Sequence, residues 1–234
     1  TGTGDFTAGG NSLDNHLVGN TGNNVLAGGL GKDTLEGGAG DDIYVISDDQ
    51  DVIIDSAGID TLRSVLDVTL VAGIENIELV GISDTTALGN AYDNRISGNF
   101  GNNVLEGGLG VDTLSGGSGG DQFVLAYNGL GIDSDWITDF ESGDDLLIID
   151  LSSFGVDTAS LGLLSSGLVS DSSFVSGAGA RALDVNDHFI FDTAQGLLKF
   201  DADGSGSGAA LDVAHIQFDS DSLSLRASDV FVGI

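Results

Sequence analysis

The sequence predicts an all-β solenoid, a chain wound into short strands joined by tight turns. Three observations predict it. A nine-residue word recurs in two blocks. Glycine fills 38 of the 234 positions while proline is absent. Aspartate outnumbers glutamate 32 to 5, and the formal net charge is −31.

The word is the first element to justify, because a fixed short period marks a repeat architecture. From Gly10 the chain reads GNSLDNHLV, GNTGNNVLA, GGLGKDTLE and GGAGDDIYV. From Gly89 it reads GNAYDNRIS, GNFGNNVLE, GGLGVDTLS and GGSGGDQFV. Position six is Asn15, Asn24, Asp33 and Asp42, then Asn94, Asn103, Asp112 and Asp121. Position eight is Leu17, Leu26, Leu35 and Tyr44, then Ile96, Leu105, Leu114 and Phe123. The first block continues past its glycines, with Asp51 and Asp60 at position six. The blocks therefore span 10–63 and 89–124.

Each position has a physical reason. Glycine at positions one, two and four permits left-handed turn conformations and close backbone approach. The residue at eight sits on a short strand and faces inward. One word is then a turn plus a strand, half a coil, and words 18 residues apart stack. A cation between stacked turns would meet two Asx side chains and turn carbonyls, an oxygen cage suited to a hard ion such as calcium. The implied pairs are Asn15/Asp33, Asn24/Asp42, Asp33/Asp51, Asp42/Asp60, Asn94/Asp112 and Asn103/Asp121. The glycines at positions one and four, Gly28, Gly31, Gly37, Gly40, Gly107, Gly110, Gly116 and Gly119, would offer carbonyls. Six filled sites would bring the net charge from −31 to −19.

Composition excludes other classes. A chain at −31 has no basic face for nucleic acid or an anionic membrane. The absence of cysteine removes disulfides and thiolate metal sites. No apolar run approaches 18 residues, so no transmembrane helix is expected. The N-terminus shows no signal peptide, and without a Met it reads as a fragment of a longer chain. Leu, Val, Ile and Phe are abundant enough for a core.

GGLGKDTLE and GGLGVDTLS match the motif G-G-x-G-x-D-x-U-x at every defined position, and the eight in-register words resemble the RTX (repeats-in-toxin) region of bacterial secreted proteins. The resemblance implies a parallel β-roll, a calcium-stacked solenoid with several ions, about six, between its turns. It also implies a secreted location, extracellular or on the bacterial cell surface. Two departures matter: four position-six residues are Asn, and the words led by Gly10 and Gly89 lack the fourth glycine. The sites led by Asn15 and Asn94 are expected to be weaker or empty.

Between the blocks, residues 61–88 alternate apolar and polar residues and read as strands in wider coils of the same solenoid. An RTX insert of the form IEN-apolar-x-L is similar. The stretch from Asp133 to Leu151 is similar to the segment that follows the repeats in RTX secretion domains. Residues 151–187 carry no assignable pattern. Residues 188–200 read as a hairpin around Thr193–Gly196, and Leu211–Phe218 as a strand. The expected division is a roll over 1–125 and a β-rich capping and secretion region over 126–234.

Asp201 and Asp203 open like an EF-hand loop, but position 12 is Asp212, not glutamate. They enter the candidate metal ligands as an irregular loop, with a solvated hairpin turn as the alternative. Asp229-Val230-Phe231-Val232, a carboxylate followed by apolar residues, resembles the uncleaved type I secretion signal of RTX proteins.

Catalytic patterns are explained otherwise. Gly116-Gly-Ser118-Gly-Gly120 fits a hydrolase elbow but lies within a nonapeptide turn. Gly177–Ala182 half-fits a dinucleotide fingerprint without a surrounding βαβ unit. His16, His188 and His215 are dispersed, and Asp41/Asp42 read as turn residues. The first reading is a non-enzymatic, monomeric calcium module that helps export a larger protein through a type I exporter. The alternatives are an adhesive module with a cell-surface or glycan partner, and the tail of a secreted protease or lipase.

Overall fold

The computed structural model describes residues 2–126, 134–151, 161, 163–164, 166–204, 210–219 and 224–233. The strands follow the words: each centres on position eight, which needs burial, and His16–Asn20 and Thr34–Gly38 run on through positions one and two of the next word. The chain is nearly all β, with parallel coils stacked into a solenoid of about nine turns. It is a parallel β-roll.

One face is a 12-stranded sheet. Its roll strands are β1 (Thr7–Gly9), β3 (Val25–Ala27), β5 (Ile43–Ile46), β7 (Thr61–Ser64), β9 (Asn76–Leu79), β11 (Arg95–Ser97), β13 (Thr113–Ser115) and β15 (Asp135–Phe140). It continues through β20 (Leu211–Phe218), β19 (Leu197–Phe200), β18 (Phe189–Asp192) and β17 (Phe174–Gly177). The other face is divided. Three strands, β2 (His16–Asn20), β4 (Thr34–Gly38) and β6 (Val52–Ile54), form one sheet. Six more, β8 (Val68–Thr69), β10 (Thr86–Leu88), β12 (Val104–Glu106), β14 (Gln122–Ala126), β16 (Leu146–Asp150) and β21 (Val230–Gly233), form the next.

Register places equivalent word positions on top of one another. Leu26 stands on Tyr44, Tyr44 on Leu62, Leu62 on Ile77 and Ile77 on Ile96. Ile96 stands on Leu114 and Leu114 on Ile137. A second column runs Ala87, Leu105, Phe123, Leu147 and Val230. All of these are buried. With strands ~4.8 Å apart, each column is a continuous apolar contact, and each large side chain contributes roughly 1.5–3 kcal/mol by leaving water.

The step between stacked partners is 18 residues within each block, as from Val25 to Ile43 and from Arg95 to Thr113. The coils joining the blocks were expected to be wider. The first instead steps by 15, from Thr61 to Asn76, and the next by 19, from Asn76 to Arg95. A short turn through Val71–Glu75 replaces the nonapeptide turn there. On the opposite face the sheets part between β6 and β8, over a cavity of about 170 Å³ floored by Ile53, Leu62 and Val68. The wide coils come after the second block, with steps of 23 from Thr113 to Trp136 and 24 from Gln122 to Leu146.

Both sheets run across residue 125, since β13 pairs β15 and β14 pairs β16 in parallel. The C-terminal strands extend the same sheets. The hairpin expected over 188–200 is present as antiparallel β18 and β19, which carry Phe189, Phe191, Leu198 and Phe200 into the core. Asp133 and residues 152–160 lie outside the described residues.

Phe123 is fully buried in the middle of its column, 6.1 Å from the ring of Phe140. Phe123→Ala should cost about 3–5 kcal/mol, read as a lower denaturation midpoint at saturating calcium with an unchanged slope.

Candidate metal centre

Two rows of turns edge the roll, and position six builds both. In the row that feeds the 12-stranded sheet, the backbone N–H of Asn24 donates to Asp42 Oδ1 at 2.6 Å, and that of Asp42 to Asp60 Oδ1 at 2.7 Å. Asp60 donates in turn to Glu75 Oε2 at 2.9 Å. The row resumes with Asn94 to Asp112 at 2.7 Å and Asp112 to Asp135 at 3.0 Å. The other row runs Asn15 to Asp33 at 2.8 Å and Asp33 to Asp51 at 2.9 Å. It resumes with Asn103 to Asp121 at 2.7 Å and Asp121 to Asp145 at 2.8 Å. All six expected pairs are stacked neighbours.

This ladder uses one oxygen of each carboxylate. The second oxygens of Asp33, Asp42, Asp51 and Asp60 are buried and have no hydrogen-bond partner. A buried carboxylate oxygen without a partner is costly, because desolvation is not repaid. The three ion pairs among the described residues, His16–Glu36, Arg63–Glu78 and Lys199–Asp212, involve none of these acids. A hard divalent cation fits such oxygens, and Asp33, Asp42, Asp51 and Asp60 would hold it. When bound, calcium supplies positive charge that neutralises the stacked acids.

Asparagine satisfies itself instead. Asn94 Oδ1 accepts its own turn's N–H from Asn90 at 2.7 Å, and its amide reaches the Glu75 carbonyl at 3.1 Å. Asn103 does likewise with Asn99 and with Thr85 Oγ1. Asn15 and Asn24 each accept from their own turn, at Asn11 and Asn20. Neutral words therefore start each row, and charged words follow.

The glycines divide by task. At position one, a Cβ on Gly28, Gly37, Gly107 or Gly116 would overlap the carboxylate of Asp33, Asp42, Asp112 or Asp121 in the same word. The carbonyl of Gly28 stands where a Cβ on Gly10 would lie, so position-one carbonyls enter the space between coils. At position four, Gly110 has φ +111° and Gly31 +108°, the left-handed region that side chains avoid. Gly40 and Gly119 hold the equivalent places in their words.

Asp201 and Asp203 lie apart from both rows, in the turn after β19. Asp203 donates its N–H to Asp201 Oδ1 at 3.2 Å, and His188 Nδ1 meets the Asp201 carbonyl at 2.8 Å. The rest of that loop, 205–209, is outside the described residues. Four ladder or cluster residues escaped sequence reasoning: Asp55, Glu75, Asp135 and Asp145. Asp135 and Asp145 stand 23 and 24 residues beyond their partners. Glu75 stands only 15 beyond. The available signal was the "acid then apolar strand" pattern without the nine-residue spacing.

Burial pushes Asp60 up, and pushes Asp121 and Asp145 to about 6, with neighbouring acids adding to the rise. Residues 9–44 and 88–123 match the RTX calcium-binding nonapeptide repeat, a family model of four copies. No curated protein matches the chain.

A carboxyl raised by folding favours the folded chain only while protonated. That contribution is full below the ordinary value of 3.8 and is lost as pH rises through about 6. In chelator, the strand signal in far-UV circular dichroism should therefore grow as pH falls from neutral toward about 4. In calcium the dependence should reverse, because protons compete with the ion for the same oxygens.

Proposed function

From an RTX calcium-binding region coiled into a β-roll, we propose a structural, non-catalytic module that folds when calcium fills its turn rows and travels as part of a larger exported protein. The observation that carries this reading is the set of buried, unpartnered oxygens on Asp33, Asp42, Asp51 and Asp60. They recur at the coil step, so each coil that carries Asp at position six adds charge to be neutralised. Their partners are 18 residues away in sequence, and ion binding energy becomes folding energy. The net charge of −31 opposes compaction until that happens.

The location follows from the same switch. Cytosol holds little free calcium, whereas extracellular calcium modules work at dissociation constants of about 0.1–1 mM. A chain that stays loose inside and winds up outside suits a type I exporter that passes unfolded polypeptide. The proposed signal residues support this order of events. Asp229, Val230 and Val232 are buried in the folded chain, where Asp229 accepts from Ser142 Oγ at 2.6 Å. Only an unfolded chain could present them to an exporter.

Far-UV circular dichroism in chelator should show little strand, and about millimolar calcium should restore it. A strand-rich spectrum in chelator that calcium leaves unchanged overturns the reading. Removal of residues 225–234 should abolish export through a type I exporter. Export undiminished by the truncation means that the signal lies elsewhere.

A further inference from the structure

The sixth word of the first block, Asp55 to Arg63, departs from the others: Asp55 stands at position one, where the regular words carry glycine. Stacking brings it beside Asp42 and Asp60. Oxygens from the three carboxylates lie within 4.8 Å of one another, the one place among the described residues where three acidic or imidazole side chains converge so closely.

The three are prepared in the same way. Asp42 Oδ1 is held by the N–H of Asn24, and Asp60 Oδ1 by the N–H of Asp42. Asp55 Oδ1 is held by the Tyr44 hydroxyl at 2.6 Å, a hydroxyl that itself accepts the Gly37 N–H at 3.0 Å. Tyr44 is fully buried and fills the position-eight column, so its oxygen cannot move away. In all three residues Oδ2 is buried and has no partner. Asp42 is 1 % exposed and Asp60 0 %. Asp55 also lines a cavity of about 230 Å³ with Gly73, Glu75 and Tyr92, which opens an approach for an ion.

We propose that Asp42, Asp55 and Asp60 form a three-carboxylate cation site, oriented by Tyr44, that binds a hard cation more tightly than the two-carboxylate steps of the rows and fills first. The proposal rests on the calcium reading above and adds an order to it. Charge count is the reason. Calcium sites gain affinity with the number of charged ligands and with rigidity, and here a third carboxylate joins a pair already locked. A divalent ion leaves the cluster at one net negative charge, and a trivalent lanthanide neutralises it.

Terbium tests this directly, since it prefers the same oxygen ligands and emits when a nearby tyrosine passes energy to it. Wild-type protein titrated with terbium should show a first, tightest phase excited through tyrosine. Tyr44→Phe should lower that sensitised emission, and Tyr44→Phe with Tyr92→Phe should lose it, since Tyr92 lines the same cavity. Asp55→Asn should weaken the first phase by about tenfold or more, while Asp33→Asn leaves it intact and weakens a later one. Unchanged tyrosine-sensitised affinity in Asp55→Asn overturns the proposal and leaves calcium-driven folding standing. An absence of any calcium or terbium response in the wild type overturns the calcium reading itself. If Asp55→Asn does not fold, displacement of terbium from the wild type by calcium decides. A tyrosine-sensitised site no tighter than the bulk transition also overturns the proposal.

Discussion

Everything in the roll depends on a buried carboxylate whose two oxygens have different work. One oxygen accepts a backbone N–H from the neighbouring coil and sets the distance between coils. The other is left in the gap between turns with no partner, as at Asp33, Asp42, Asp51 and Asp60. The first interaction is a charge-assisted hydrogen bond and favours the coiled chain. The second opposes it until a cation arrives. A single residue type thus aligns the coils and turns an oxygen into the gap where a cation would bind.

The apolar columns do nothing for those oxygens. They are narrow, with one large side chain per half coil, and the turns around them are glycine-rich and costly to order. Strand pairing alone would align like charges at the coil spacing. The asparagine words show the other solution. Asn94 and Asn103 close their own turns by accepting a backbone N–H at Oδ1 and use the side-chain amide to donate to the preceding coil, so neither leaves a charged oxygen in the gap. Each block opens on such neutral rungs and passes to acids. Charge therefore concentrates toward Asp60 and Asp121, where burial raises the carboxyls most clearly.

Much of this was legible in advance. The word length, the inward position eight and the stacking of positions 18 apart all follow from one periodicity, and all six expected Asx pairs are neighbours in the structure. The glycine tasks were legible only as a group. The separation of position one, cleared for the carboxylate, from position four, bent into the left-handed region, needs the coil in three dimensions. Legibility ended where the spacing ended. Glu75 reaches the ladder from a coil three residues short because its side chain is one methylene longer than aspartate. Asp135 and Asp145 reach it from coils of 23 and 24 residues, longer than the regular 18.

The sequence by itself determined the coil, because a parallel ladder demands equal steps and a nine-residue word supplies them. It pointed to calcium-binding turns as well, since aspartate recurs at position six and 37 acidic residues face only 6 Lys and Arg. Tertiary structure decided which acids share a gap. Asp55 takes position one of its word, 5 residues before Asp60 and one coil beyond Gly37, a place the regular words give to glycine. Their convergence exists because one coil rests on another and a buried tyrosine hydroxyl, Tyr44, turns the third carboxylate inward. The 18-residue step places the coils on one another, and the packing of Tyr44 decides where the extra carboxylate points.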